Sequence, residues 1–371
     1  MKQALVVHVP VRQARLRFEP AAMVVASPEA ADELIDAIDA ELALLRDVPR
    51  PTTIRIDGGA PTCLPPALLG RLLDAIATHV SRVRTKEITV AVSPRSVSAE
   101  KAEILRAGGA NRASLQIYSF DPLALRTLGC LHDAELAAAA RHLLRAAGFE
   151  NVSVELACGV PGGDEGFLAS VERAIELEPE HVVIRPLRPH PESTLARWLD
   201  EARLPRPGRS AAAARFGGAV ERLAAAGYEH YAAHAFARDG RRSVERVEAW
   251  SGRPRLGVGP GARSESGPTV RTNTADPDLY VRRMLHTGRA DRRERRSAAA
   301  AAAADVRRGL DAVSGVTLGP IARRWGVDAE ERLRPALERE IRRGTIESRR
   351  RRLRLTPQGW PLADDVLAAL S

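Results

Sequence analysis

Residues 4–20 read ALVVHVPVRQARLRFEP. Ala4 to Val9 is an apolar run rich in β-branched side chains, the pattern of a strand buried on both faces. Pro10 ends it, since a proline ring has no N–H to give to a ladder. Val11 to Glu19 then reads as a loop carrying Arg12, Arg15 and Arg17. A loop at the carboxyl end of the first strand is where α/β folds place their chemistry.

Outward from this stretch, short β-rich runs alternate with helical patterns. Strands are expected at Thr53–Ile56, Glu87–Val92, within Asn111–Phe120, at Val152–Leu156 and at His181–Ile184. Between them, Ala31–Leu45, Pro65–Val80, Ser98–Ala107, Ala134–Ala147 and Phe167–Leu177 repeat apolar residues at helical spacing. Such βα units build a mainly parallel sheet. Periodicity alone leaves an incomplete barrel and a doubly wound sheet both open. After the second strand, Gly58 and Gly59 make a turn that lets a backbone approach a ligand closely or simply turns tightly.

Beyond Pro186 the chain changes character. Prolines break up Pro186–Arg209 into a connector around one short helix, and Ala211–Ala226 resumes a helix. ADRRERR at residues 290–296 is a charged run. The seven alanines of Ala298–Ala304 favour a helix with little packing volume, expected as a surface or connecting element. The end of the chain reads helix (318–325), helix (329–343), strand (345–347), arginine-rich loop and strand (353–355), the outline of a winged helix.

The 371 residues suffice for one large domain and one or two smaller ones. No apolar run is long enough to span a bilayer, and no signal peptide precedes the first strand, so a cytoplasmic protein is expected. Formal net charge is +9, and from Thr287 to Ser371 19 arginines stand against 12 acidic residues. That excess favours an anionic partner or a solubilising surface. Cys63, Cys130 and Cys158 are too scattered for a ligand cluster, and the dispersed histidines read as packing or surface residues.

The ordered set of motifs resembles radical SAM enzymes, specifically oxygen-independent coproporphyrinogen III oxidases and their heme-chaperone relatives. His8, Pro10 and Phe18 match the family's opening strand and loop. Asn111, Arg112, Ser114, Ser119 and Phe120 match a later strand. Leu128, Gly129 and His132, Gly159–Gly162, Gly227–Tyr231 and Leu256–Ser264 match further on. The resemblance implies an incomplete (β/α)6 barrel over residues 1–200, a family-specific α/β extension over 201–285, a charged and alanine-rich connector over 286–304, and a winged-helix-like module over 305–371.

The same resemblance implies a four-iron, four-sulfur cluster on cysteines spaced C-x3-C-x2-C, with S-adenosylmethionine on its open iron. Those three positions hold Arg12, Leu16 and Glu19. A cation, an alkyl group and a hard carboxylate cannot replace three thiolates. The cofactor turn also departs, with Asp57 for its first glycine and Ala60 for its threonine. Ala91 stands for a carboxylate and Tyr118 for a glutamine. The expectation is therefore a non-catalytic family member with no cofactor of its own. Arg12, Arg15 and Arg17, with Phe18, Gly58, Gly59, Tyr118 and Trp250, form the candidate pocket for a heme, a porphyrin or a protein partner. A porphyrin-pathway oxidoreductase and a basic winged-helix nucleic-acid adaptor are the alternatives. Glu330, Glu331, Glu338 and Glu340 on the would-be reading helix weigh against the last.

Overall fold

A computed structural model describes residues 3–20, 27–45, 50–163, 165–206, 208–327, 329–350 and 352–370. Strands β1 (Ala4–His8), β2 (Thr53–Asp57), β3 (Glu87–Val92), β4 (Arg112–Tyr118), β5 (Val152–Cys158) and β6 (His181–Pro186) lie side by side in chain order. Each neighbouring pair is parallel. A doubly wound sheet would reverse direction at a switch point. This order has no reversal, so the doubly wound alternative falls away and a partial-barrel arrangement remains.

Alternation along each strand separates two environments. Leu5 and Val7, Ile54 and Ile56, Val90 and Val92, Leu115 and Ile117, Val154 and Leu156, and Val182 and Ile184 pack into one core with the flanking helices. From the helix Pro28–Ala43, Leu34, Ile35, Ile38 and Leu42 enter that core fully buried. Each such side chain contributes about 1.5–3 kcal/mol. Ser27, Ser98 and Asp133 cap the helices that follow them, accepting from the N–H groups of Ala30, Lys101 and Leu136. The opposite strand positions are largely polar: His8, Arg55, Asp57, Arg112, Ser114, Gln116, Glu155, His181 and Arg185.

The sheet continues beyond both ends of this set. On one side β1 pairs with β9 (Arg255–Val258), followed by β10 (Arg263–Ser266), β11 (Thr269–Asn273) and β12 (Asp291–Arg295). On the other, β6 pairs with β8 (Ala235–Ala237), itself paired with β7 (Glu229–Ala232). Buried Glu41 ties the β9–β11 side to the first helix, accepting from Gly259 N–H, Asn273 and the Tyr280 hydroxyl.

Two expectations for residues 286–304 are corrected here. The charged run is no linker: Asp291–Arg295 is strand β12, antiparallel to β11 at the sheet edge. Arginines on a terminal strand remain in water while its backbone pairs on one side. The alanine run is no surface helix either. It belongs to the helix Ala298–Leu310, in which Ala301–Ala304, Val306 and Leu310 are buried. Of these, Ala302, Ala303, Val306 and Leu310 pack into a second core with Leu318, Leu333, Leu337, Leu353 and Leu355.

That second core belongs to the last part of the chain. Helices Leu318–Trp325 and Ala329–Arg342 and a final helix Ala363–Ala369 accompany a small antiparallel sheet. Its strands are β13 (Val316–Thr317), β14 (Ile346–Arg349) and β15 (Arg352–Leu355), in the order β13-β15-β14. The C-terminal unit is fastened to the barrel at β7 and β8. Ala233 N–H donates to Asp311 O, Val313 N–H to Tyr231 O, and the His234 ring meets Trp360 O at 3.0 Å. No helix among the described residues is long and apolar enough to cross a membrane.

Candidate functional site

The loop after β1 turns across the carboxyl ends of the strands and is tied down along its length. Arg17 N–H donates to Leu128 O, while its own carbonyl accepts from Leu195 N–H. His190 N–H donates to Phe18 O. These bonds set Arg12 and Glu19, each only 8% exposed, facing one another. Arg12 Nη2 lies 2.6 Å from Glu19 Oε1. The same guanidinium donates to Gln116 Oε1 at 2.6 Å and to the Tyr118 hydroxyl at 3.3 Å, both from β4. Burial disfavours the Arg12 cation, but Tyr118 and Glu19 outweigh it and raise its pKa.

Tyr118 reaches this point at a backbone cost. The β4–β5 register shifts between Gln116 and Tyr118, and Tyr118 has φ +63°, a left-handed value uncommon for a bulky residue. Its ring meets Phe18 edge-on at 5.5 Å. Burial raises the pKa of its phenol, so it remains a neutral acceptor for Arg12.

A cavity of about 40 Å³ remains beside the pair, lined by Arg12, Leu16, Cys63, Gln116, Tyr118 and Cys130 among others. That is room for about three waters at most. Two cysteines far apart in sequence thus meet one cavity, but burial pushes the Cys130 thiol up to about 12. A metal-ligating thiolate is disfavoured there. Among the described residues, no three His, Cys, Asp or Glu side chains form a metal-holding group. The side chains at the three expected cysteine positions do not fit an iron–sulfur cluster: Leu16 has no donor, and Glu19 is bound to a guanidinium.

The glycine turn also has a local explanation. Gly58 has φ +99°, and a Cβ there would lie 2.4 Å from His8 Cδ2. A Cβ on Gly59 would lie 2.4 Å from Val11 O. Both glycines let the turn press against β1 and its loop, and Ala60 N–H completes the contact by donating to Val11 O. His8 itself points inward, its Nδ1 2.5 Å from Pro260 O.

Further into the barrel the inner face is cross-linked by charge. Arg55 pairs with Asp57, with Glu245 at 3.6 Å and with Glu155 at 3.9 Å. Glu155 also accepts from Ser114 at 2.6 Å and Arg185 at 3.2 Å. Burial alone would raise the Asp57 and Glu155 pKa values; Arg55, joined at Glu155 by Arg185, turns both shifts downward. Near β3, Glu87 accepts from Ser243 Oγ and the N–H of Val244. His181 is buried between Ser153 Oγ and the Tyr231 hydroxyl.

The expected cluster of three arginines at an open mouth is therefore not assembled. Arg12 points inward and is paired. Arg17 donates to Arg126 O and lies 5.0 Å over the Trp198 ring, and Arg15 is exposed. Phe18 and Tyr118 share one apolar cluster. Trp250 belongs to another, with Val183 and Tyr231. Its indole N–H donates to Asp311 at 2.9 Å, beside an Arg246–Asp311 pair at 3.0 Å. Trp250 thus fastens the C-terminal unit and is not a wall of the arginine site. Sequence reasoning missed Arg55, Gln116, Glu155 and Arg185. Their signal was a charged or amide side chain on the polar face of otherwise apolar strands.

Comparison with known proteins sets these features in context. Residues 309–362 match the model of the HemN C-terminal domain. The heme chaperone HemW of Mycobacterium tuberculosis (strain ATCC 25618 / H37Rv) is 31% identical over 268 residues, spanning 71% of this chain and 68% of that protein. The heme chaperone HemW of Bacillus subtilis (strain 168) is 26% identical over 344 residues, 91% of each chain. Among solved structures, coproporphyrinogen III oxidase (HemN) from Escherichia coli, described as a radical SAM enzyme, superposes with a TM-score of 0.84. At 22% identity it covers 100% of this chain and 90% of its own. The fold is common to both.

Proposed function

Because this chain belongs to the heme chaperone HemW family, with its radical SAM fold, we propose that it is a non-catalytic member that acts by binding rather than by radical chemistry. The buried Arg12–Glu19 pair carries this reading. It joins two of the three positions where the family resemblance places cluster thiolates, and it fills the space with a buried ion pair. A four-iron cluster supplies the electron for this chemistry, and no side chain replaces it. Asp57, tied to Arg55, and Ala60, in place of the threonine, add independent departures at the cofactor turn. Anaerobic reconstitution with iron and sulfide, followed by an assay for S-adenosylmethionine cleavage, tests it. Stoichiometric iron with cleavage would instead support a porphyrin-pathway oxidoreductase.

A tetrapyrrole ligand is a second reading, favoured by a different place from the barrel mouth. An open groove of about 470 Å³ is lined by Trp250, Leu367, Arg307, Arg308 and others. An indole face and arginines suit a flat apolar ring bearing carboxylates. Heme titration of the wild-type chain and Trp250→Ala tests this reading. It requires a Soret shift that the substitution weakens.

A further inference from the structure

A second groove, of about 540 Å³, lies where the C-terminal unit meets the β10–β12 edge of the sheet. Arg263, Arg296, Arg307, Arg332 and Arg339 line it, and no Asp or Glu is among its described lining residues. The nearest carboxylates are shared. Glu265 serves Arg263, Arg296 and Arg308, Glu294 also reaches Arg263 at 4.0 Å, and Glu340 serves Arg339 and Arg343. Burial, then Arg308, works against the Arg307 cation, and Glu265 offsets part of this. Five arginines thus converge on one groove with no carboxylate among its described lining residues.

The floor of the groove is apolar, with Ala303, Leu333, Pro335, Ala336 and Leu370. Arg332 and Arg339 are exposed, seven residues apart on one helix. Two helical turns set them about 10.5 Å apart along its axis, with Ala336 between them. Arginine forks match carboxylates in pairs, while the floor between them asks for an aliphatic side chain. A phosphodiester backbone would answer the forks and leave that floor unused.

We propose that this groove binds an acidic amphipathic helix of a partner protein, with carboxylates seven residues apart and an aliphatic residue between them. The groove lies outside the barrel, so the inference stands apart from the loss of the cluster. A reconstituted cluster would overturn the preceding reading and leave this one intact.

The test uses the full chain and a fluorescein-labelled, helix-forming peptide with glutamates seven residues apart flanking a leucine. Fluorescence anisotropy is expected to report saturable binding. Reversing both exposed arginines, Arg332→Glu with Arg339→Glu, is expected to weaken it by about tenfold or more. Arg334→Glu with Arg349→Glu makes the same charge change away from the groove and is expected to stay within about twofold. Replacing the peptide's leucine by serine is expected to weaken binding as well. Circular dichroism confirms that both variants fold. Absence of peptide binding, equal losses in the two double variants, or indifference to the leucine would each overturn the proposal. So would a labelled DNA or RNA duplex that binds the groove more tightly than the peptide.

Discussion

Arg12 Nη2 and Glu19 Oε1 lie 2.6 Å apart, both residues buried, at two positions where the family resemblance places cluster cysteines. A pair of this kind is costly to break and less costly to replace. Removing one partner leaves an uncompensated buried charge, worth about 3–5 kcal/mol, whereas replacing both by apolar residues of similar volume is often neutral. Arg12→Met and Glu19→Leu are each expected to lower stability by roughly that amount in urea unfolding. The double substitution is expected to recover most of the loss. If the single variants are as mild as the double, the pair is not the buried unit described.

Returning thiolates to the loop separates cluster binding from cofactor use. The triple substitution Arg12→Cys, Leu16→Cys and Glu19→Cys restores the spacing and is expected to bind iron after reconstitution. It is not expected to cleave S-adenosylmethionine, because Asp57 stays paired with Arg55 and Ala60 still stands in place of the turn's threonine. Cleavage at a rate close to that of an active relative would show that the loop alone was limiting.

The two glycines should fail for different reasons. Gly58→Ala meets both a positive φ and the His8 ring, and Gly59→Ala meets the backbone of Val11. Each is expected to cost about 2 kcal/mol or more in thermal unfolding. Adding His8→Ala should recover part of the Gly58→Ala loss, since the ring clash goes and the φ strain stays. It should recover nothing for Gly59→Ala. A double-mutant cycle measures the difference.

Buried histidines make stability depend on pH in a defined window. Burial lowers the pKa of His181 and His230, and brings His234 to about 4 despite Asp364 nearby. Each ring therefore takes up a proton more readily when unfolded, at an ordinary value of about 6.5. The stability is complete above that pH and falls as the pH drops towards the folded values. Its loss through His234 alone is expected to reach roughly 3 kcal/mol by about pH 4. Melting temperatures from pH 7.5 to 4.5 should fall, and His234→Gln should flatten the curve. The lowered Asp57 and Glu155 titrate further down, where losing their charge removes stability below about pH 4.

The barrel strands and their helices were legible because alternation and helical spacing are local properties. Leu34, Ile35, Ile38 and Leu42 declare a buried helix face without any knowledge of what covers it. The pairing inside the barrel was not legible. Arg12 meets Gln116 and Tyr118, 104 and 106 residues away, and nothing in residues 12–19 says whether their arginines turn outward or inward. Aromatic character alone places Trp250 with Phe18, yet its indole N–H is committed to Asp311. The run at residues 290–296 looked like a linker because its side chains are charged. A terminal strand satisfies its backbone and leaves such side chains in water, and β12 does this against β11.

The central claim is that the space for the cluster has been filled by side chains that cannot hold it. Iron content and the visible spectrum after anaerobic reconstitution test it most directly. Iron well below stoichiometric, with no broad absorbance near 400 nm beyond that of a chelator-treated control, is the expected result. About four irons per chain with that absorbance, lost on reduction and regained on oxidation, would contradict it.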